Sequence, residues 1–231
     1  MKNNRSVKGR RWKKVDGSCR QVSSANNIVW AIAYDNDTLW YRRGINDDNP
    51  TGLKWVQVTG EASLVSANQV NNDKWCIRNS NETYNHIGPS AYYSRGSSWI
   101  FMKGWTKWVS VGQAGVWVVS TTNEIFFRIG TGSGVGGEGT GWEQVDGSLK
   151  QVSSGDRVVW GVDENNSIFK RTGITVSNPV GTAWESVHGS LSLVSVNSVS
   201  NAVWGLDGSL VYRLKKSTNF EVFADRWPSR A

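Results

Sequence analysis

The sequence predicts an all-β fold, a β-propeller of five four-stranded antiparallel blades, with a six-bladed ring as the alternative if both chain ends together build a degenerate blade. Three observations predict it. A motif of about 43 positions recurs five times along the chain. Each copy divides into four short runs of β-favouring residues separated by Gly, Asn, Asp and Ser turns. No long stretch carries apolar side chains at helical spacing, which argues against crossover helices and a parallel sheet. Four-stranded units repeated every 40–45 residues match the propeller period, in which each blade buries two faces against its neighbours. A solenoid would need polar capping repeats at its ends, and the sequence offers none.

The elements of the repeat follow in order. Its first run opens on tryptophan, at Trp12, Trp55, Trp99, Trp142 and Trp184, spaced 43, 44, 43 and 42 residues apart. A glycine follows in every copy (Gly17, Gly60, Gly104, Gly147, Gly189). Five residues after it comes a Val-Ser pair, Val22-Ser23 through Val194-Ser195, which marks the second run. The third run carries a second tryptophan series, Trp30, Trp75, Trp117, Trp160 and Trp204. These residues sit mid-strand among alternating apolar positions and are expected to pack between blades. The fourth run holds an aromatic slot (Trp40, Tyr84, Phe126, Phe169) and then a basic one (Arg42, His86, Arg128, Arg171, Arg213). In the fourth copy the runs are 142–145, 149–153, 158–162 and 168–171, and they are expected to form one meander sheet. The domain reading is therefore a basic arm over 1–11 and one propeller domain over 12–231, with repeats starting near 12, 55, 99, 142 and 184. A further strand near 219–223, with Phe220 in the Trp slot, is expected to pair with the N-terminal end and close the ring.

Composition narrows the function classes. The chain has 231 residues, 38% of them hydrophobic and 19% charged, and no apolar run approaching a membrane-spanning helix, so neither a disordered polyelectrolyte nor membrane insertion is expected. The formal charge of +7 comes from one place: residues 1–14 hold seven Lys and Arg and no acid, leaving 19 basic against 19 acidic residues elsewhere. A nucleic-acid partner, which would need positive charge spread over a docking face, is not expected. Two cysteines and two histidines offer neither a disulfide framework nor a metal site. No cofactor is expected. The N-terminus lacks the apolar stretch of a secretory signal, which points to a cytoplasmic, reducing compartment or to release by a non-classical route.

The pattern W-x-x-V-x-G-S-L-x-x-V-S, then V-W-G-V-D, then I-F-x-R-x-G-I-T-x-x-N-P-x-G-x-x-W, read over 142–184, resembles the tectonin (TECPR) repeat of tectonins and fish egg lectins. The likeness runs over about residues 12–223. Copies one and four match best, through RRGINDDNPTGLKW and RTGITVSNPVGTAW. Copy two departs at His86-Ile87-Gly88, and copy three carries a glycine-rich loop, TGSGVGGEGTGW, where the others have Asn-Pro. The resemblance implies a multivalent carbohydrate-binding propeller, tied to innate defence, that recognises cell-surface glycans such as bacterial lipopolysaccharide or O-methylated sugars. If it also forms homo-oligomers, it would agglutinate cells. The alternative from another class is an intracellular protein-interaction scaffold, because a fold does not fix a function.

The candidate carbohydrate-binding residues follow from the registers. Trp12, Trp55, Trp99, Trp142 and Trp184 each begin a strand after the longest loop, where an indole face can stack on a sugar. Arg42, Arg128, Arg171 and Arg213 present planar forks that suit hydroxyls or phosphate, or that clamp a neighbouring blade. Asn49 and Asn178, in matching Asn-Pro loops, can both donate and accept, which suits hydroxyl recognition and equally suits the turn. Catalysis is not expected, since neither His86 nor His188 sits in a triad-like arrangement and most acids fall in turns. Three N-x-Ser/Thr sequons, at Asn36, Asn81 and Asn165, occupy the same turn of their copies and read as turn chemistry.

Overall fold

The computed structural model of the chain describes residues 13–87, 98–215 and 220–222. The basic arm, Trp12 and the aromatics Tyr92, Tyr93 and Trp227 lie outside them. All regular structure among the described residues is β. The first unit is a meander of β1 (Cys19–Ala25), β2 (Ile28–Ala33), β3 (Thr38–Arg43) and β4 (Lys54–Glu61). The second comprises β5 (Leu64–Ala67), β6 (Lys74–Ile77), β7 (Glu82–Ile87) and the first part of β8 (Ser98–Gly112). The rest of β8 opens the third unit, which continues through β9 (Gly115–Ser120), β10 (Glu124–Arg128) and β11 (Trp142–Ser148). Because β8 runs unbroken through both, these two units merge into one seven-stranded sheet. The fourth unit is β12 (Gln151–Ser154), β13 (Val159–Val162), β14 (Ser167–Thr172) and β15 (Ala183–Ser190). The fifth is β16 (Leu193–Val196), β17 (Val203–Asp207), β18 (Leu210–Leu214) and β19 (Phe220–Val222).

The expected phase of the repeat is off by one strand. The tryptophan that opens each copy lies on the fourth strand of the preceding unit: Trp55 pairs with Arg42, Trp99 with His86, Trp142 with Arg128 and Trp184 with Arg171. A meander repeated end to end has the same period wherever it is cut, so spacing cannot reveal which strand is hydrogen-bonded to which. β19 pairs with β18 and completes the fifth unit, its register setting Phe220 opposite Leu214 and Glu221 opposite Arg213. The pairing expected with the N-terminal end falls on residues 1–12, outside the described ones.

The Val-Ser register stitches successive units along their first strands. The Ser23 hydroxyl accepts from the Ala67 N–H (3.0 Å), Ser66 from Val111 (3.0 Å), Ser110 from Ser154 (2.9 Å) and Ser153 from Val196 (2.9 Å). Gln21 bonds both the N–H and C=O of Val65, and Gln151 does the same to Val194. Trp108 occupies the glutamine slot and donates its indole N–H to the Val152 carbonyl (2.8 Å), which makes it a ladder residue. The valines beside these serines are buried in units two to five, whereas Val22 in the first unit is 60% exposed.

The core consists of sheet-to-sheet interfaces. Trp30 meets Trp99, Trp75 meets Trp142 and Trp117 meets Trp184, all edge-on at centroid distances of 6.2, 5.9 and 6.4 Å. A second-series tryptophan is thus roofed by the fourth-strand tryptophan of the next unit. Trp30, Trp75, Trp117 and Trp160 are buried as expected, but Trp204 is 43% exposed. Its unit is the last of the five, so no following fourth strand among the described residues roofs it. In the turn after each second strand, Asp37, Asn81, Asn123, Asn166 and Gly208 adopt positive φ of 55–71°. This is the left-handed position that Asn, Asp and Gly tolerate best. It is also the turn that carries the sequons.

Candidate functional site

Arg, Trp and the Asn-Pro loop come together as one assembly. Arg171 donates Nε–H to the Val180 carbonyl (2.8 Å) and Nη1–H to Asp146 Oδ1 (2.7 Å), and its guanidinium lies 5.4 Å from the centre of the Trp184 ring. Trp184 in turn donates its indole N–H to the Asp146 backbone carbonyl (2.8 Å). The first unit repeats the arrangement with Arg42, Thr51, Asp16 and Trp55, at 2.6 Å to the Thr51 carbonyl, 2.8 Å to the Asp16 carboxylate and 5.3 Å to the ring. Asp146 stands on β11 and Arg171 on β14, so the cluster clamps the third unit to the fourth. In the third unit Arg128 donates to the Glu138 carbonyl (2.5 Å) and covers Trp142 (4.9 Å), but Lys103 fills the acid's slot, and Trp142 bonds the carbonyls of Met102 and Lys103. The register glycine makes the approach possible: Gly17 and Gly147 have φ of 104° and 100°, and a Cβ there would stand 3.1 Å from Trp55 Nε1 and 3.2 Å from Trp184 Cδ1.

Asn49 and Asn178 hold the loops that present the carbonyls to these arginines. The Asn49 carbonyl accepts from Gly52 N, and its amide reaches the Gly44 carbonyl (3.3 Å). The Asn178 carbonyl accepts from Thr175 N and Gly181 N. The Arg213 guanidinium lies 5.6 Å from the centre of the Trp204 ring, and the loop that follows it, 216–219, lies outside the described residues. Trp99 packs against His86 at 4.6 Å. The rings of Trp55, Trp142 and Trp184 thus have one face covered by arginine and their N–H groups engaged.

Two open clefts lie beside these clamps, and they are the same cleft in successive interfaces. Each sits between the bulged end of one unit's fourth strand and the turn between the second and third strands of the next. The first, about 720 Å³, is lined by Gln57, Thr59, Gly60 and Glu61 on one side and by Arg78, Asn79 and Ser80 on the other. The second, about 310 Å³, is lined by Gly104, Trp105 and Thr106, and by Ser120, Thr121, Thr122, Glu124, Phe126 and Trp142. Trp105 is 63% exposed. Glu124 is held in place by Thr122 Oγ1 (2.8 Å) and Gln144 Nε2 (3.1 Å). Of the residues expected from sequence, only Trp142 lines either cleft. Trp105, Arg78 and Glu124 were missed because they fall where the copies differ, and the sequence reading weighted what recurs. Among the described residues no three His, Cys, Asp or Glu side chains gather as a metal site, and no helix is long and apolar enough to cross a membrane.

The family model for the Tectonin domain matches residues 6–208. The chain belongs to the tectonin family. A mouse relative, tectonin beta-propeller repeat-containing protein 1, is 39% identical over 56 residues, which is 24% of this chain and 5% of that protein's length. Among solved structures, a chain of the nidogen/laminin complex superposes with a TM-score of 0.61 at 8% identity, covering 87% of this chain and 78% of that one. Human WBSCR16 gives 0.60 at 12% identity, covering 87% and 62%. At that identity the likeness speaks to fold, and the fold is the β-propeller.

Against the tectonin repeat, the second unit makes a compensated exchange. Where other units carry Val before the second tryptophan and Arg before the long loop, this one has Lys74 and His86. The Lys74 side chain is buried, with its ammonium 5.7 Å from the centre of the Trp30 ring, much as Arg128 lies 6.0 Å from the centre of the Trp75 ring. Burial pushes the Lys74 ammonium below its usual range, with the neighbouring Asp73 opposing that shift. Asp73 is itself pushed up by burial although Asn85, Trp75 Nε1 and the Gly137 and Lys74 amides all donate to it. The Gly137 bond docks the glycine-rich loop of the third unit onto the second.

Proposed function

We propose that this tectonin-family propeller is a lectin whose saccharide sites are the clefts between neighbouring sheet units, with several weak sites acting together on a glycan-coated surface. The observation that carries the reading is the lining of the second cleft. An exposed Trp105 indole stands beside Phe126 and Trp142, with the hydroxyls of Ser120, Thr121 and Thr122 and a fixed Glu124 carboxylate around them. A sugar ring offers an apolar C–H face and a rim of hydroxyls. Flat aromatics suit the first, and acceptors held in place suit the second. Repetition supports the same reading, since linked weak sites raise avidity by roughly 10²–10⁴ without new contacts.

The test is a glycan array followed by titration of the best neutral glycan. Trp105→Ala, which removes an exposed ring, is expected to weaken binding at least tenfold without lowering the melting temperature. An array blank at every density would reject the lectin reading. The protein-scaffold reading makes the opposite forecast: Trp105→Ala would release a stoichiometric protein partner that free sugar does not displace.

A further inference from the structure

We propose that the first cleft is a separate subsite for the negatively charged group of an acidic saccharide, a carboxylate or phosphate recognised by Arg78. This rests on the saccharide reading above and adds the ligand's charge.

Arg78 stands three residues after the second tryptophan of its unit, a slot filled by Ala33, Ser120, Asp163 and Asp207 in the other units. The fold therefore does not call for a cation there. The guanidinium lies 4.2 Å from the centre of the Tyr84 ring, which holds the planar fork in place before any ligand arrives. Among the described residues no carboxylate is within ion-pair distance of it; the recorded pairs of the other arginines are Arg20–Asp37, Arg42–Asp16, Arg157–Asp156 and Arg171–Asp146. Asp37, beside the same turn, is held by Arg20 (2.6 Å) and Asn79 (3.2 Å). Glu82 Oε2 takes the Ser80 hydroxyl (2.8 Å) and the Tyr84 hydroxyl (3.3 Å), and Glu61 lines the cleft as a second, exposed carboxylate. The fork lies close to the β4 backbone, since a Cβ on Gly60 would stand 3.6 Å from Arg78 Nη2, an ordinary contact, and the glycine is required there by its φ of 116°.

The two clefts therefore differ in chemistry although they share a position. The second offers aromatic faces and hydroxyls. In the first, Tyr84 is covered by Arg78, and the lining is Arg78 with the polar side chains of Gln57, Thr59, Asn79 and Ser80. A planar fork with no internal counter-ion matches a planar carboxylate or a phosphate oxygen pair. Glu61 would disfavour any anion placed next to it, which makes it a built-in check on the assignment.

The experiment titrates the full chain with glucuronate, galacturonate, N-acetylneuraminate and glucose 6-phosphate, each beside its uncharged counterpart or parent sugar, and with inorganic phosphate. At least one acidic sugar is expected to bind tenfold or more tightly than its neutral counterpart, and less tightly as salt rises. Arg78→Gln should remove that preference with melting unchanged, and Glu61→Gln should strengthen it two- to fivefold. Equal binding of acidic and neutral sugars, or an acidic preference that survives Arg78→Gln, overturns the proposal while leaving the lectin reading standing. Inorganic phosphate binding as tightly as glucose 6-phosphate, with no uronate bound, also overturns it, since the site would then read charge without sugar. If no saccharide binds at all, both readings fall together.

Discussion

At the scale of single residues, the recurring arginine is a structural clamp wherever a loop carbonyl and the neighbouring unit's acid can both reach it. Arg171 is buried with two charge-assisted hydrogen bonds and an indole beneath it. Arg213 occupies the same slot beside a half-exposed ring, and the loop that follows it, 216–219, lies outside the described residues. Arg171→Ala is therefore expected to cost about 2 kcal/mol, the worth of hydrogen bonds to a charged group. Arg213→Ala should cost about 0.5–1 kcal/mol, the range of an exposed cation–π contact. Urea denaturation of both variants measures the difference, and equal losses would show that the slot, rather than its anchors, sets the contribution. Nothing in the sequence separates the two arginines, because the anchors belong to a loop and to another unit. The Trp slot is similar: period alone revealed that Trp55 and Trp184 recur, but not that a guanidinium covers one face of each ring.

At the scale of elements, the Val-Ser pairs were legible as a register and illegible as a bond, because the partner lies 43–45 residues away on a strand that spacing cannot orient. The serines nonetheless yield a sharp contrast. Ser153 is buried and accepts the N–H of Val196, so Ser153→Ala strands a buried amide and should destabilise by about 1–3 kcal/mol. Ser195, the last of the series, is exposed, and Ser195→Ala should stay within about 0.5 kcal/mol. Calorimetric melting of the two variants checks this, and a large loss at Ser195 would mean that another strand takes up its hydroxyl. The strands, their turns and the buried tryptophans were all readable, since alternation and left-handed turn residues are local signals. The phase of the meander and the two clefts were not. Phase depends on hydrogen bonds across the boundary between copies, and the clefts are lined by residues such as Arg78 and Trp105 that no period marks.

For the whole molecule, stability should be graded rather than uniform. Neighbouring units share a serine ladder, and the first three interfaces add a tryptophan pair, as in repeat proteins whose energy is a sum of units and interfaces. Ser198 of the fifth unit also reaches Gln113 of the third (2.6 Å) and Gln69 of the second (3.4 Å). The second and third units each take part in two tryptophan pairs, sharing Trp75–Trp142, with Trp30–Trp99 and Trp117–Trp184 on either side. The first contributes Trp30 to one, and the fifth presents a half-exposed Trp204 with Leu206, Leu210 and Val211 also exposed. Local opening draws on the interfaces a segment has, so amide exchange should be slowest in β6, β9, β12 and β13, where every residue is buried, and fastest in β1 and β18. Hydrogen-exchange mass spectrometry resolves these segments. A smooth rise in protection toward the second, third and fourth units would establish that coupling between neighbouring units dominates. Equal protection of β1 and β9 would mean instead that the first and fifth units are sealed as tightly as the middle ones, and that the propeller opens only as a closed ring.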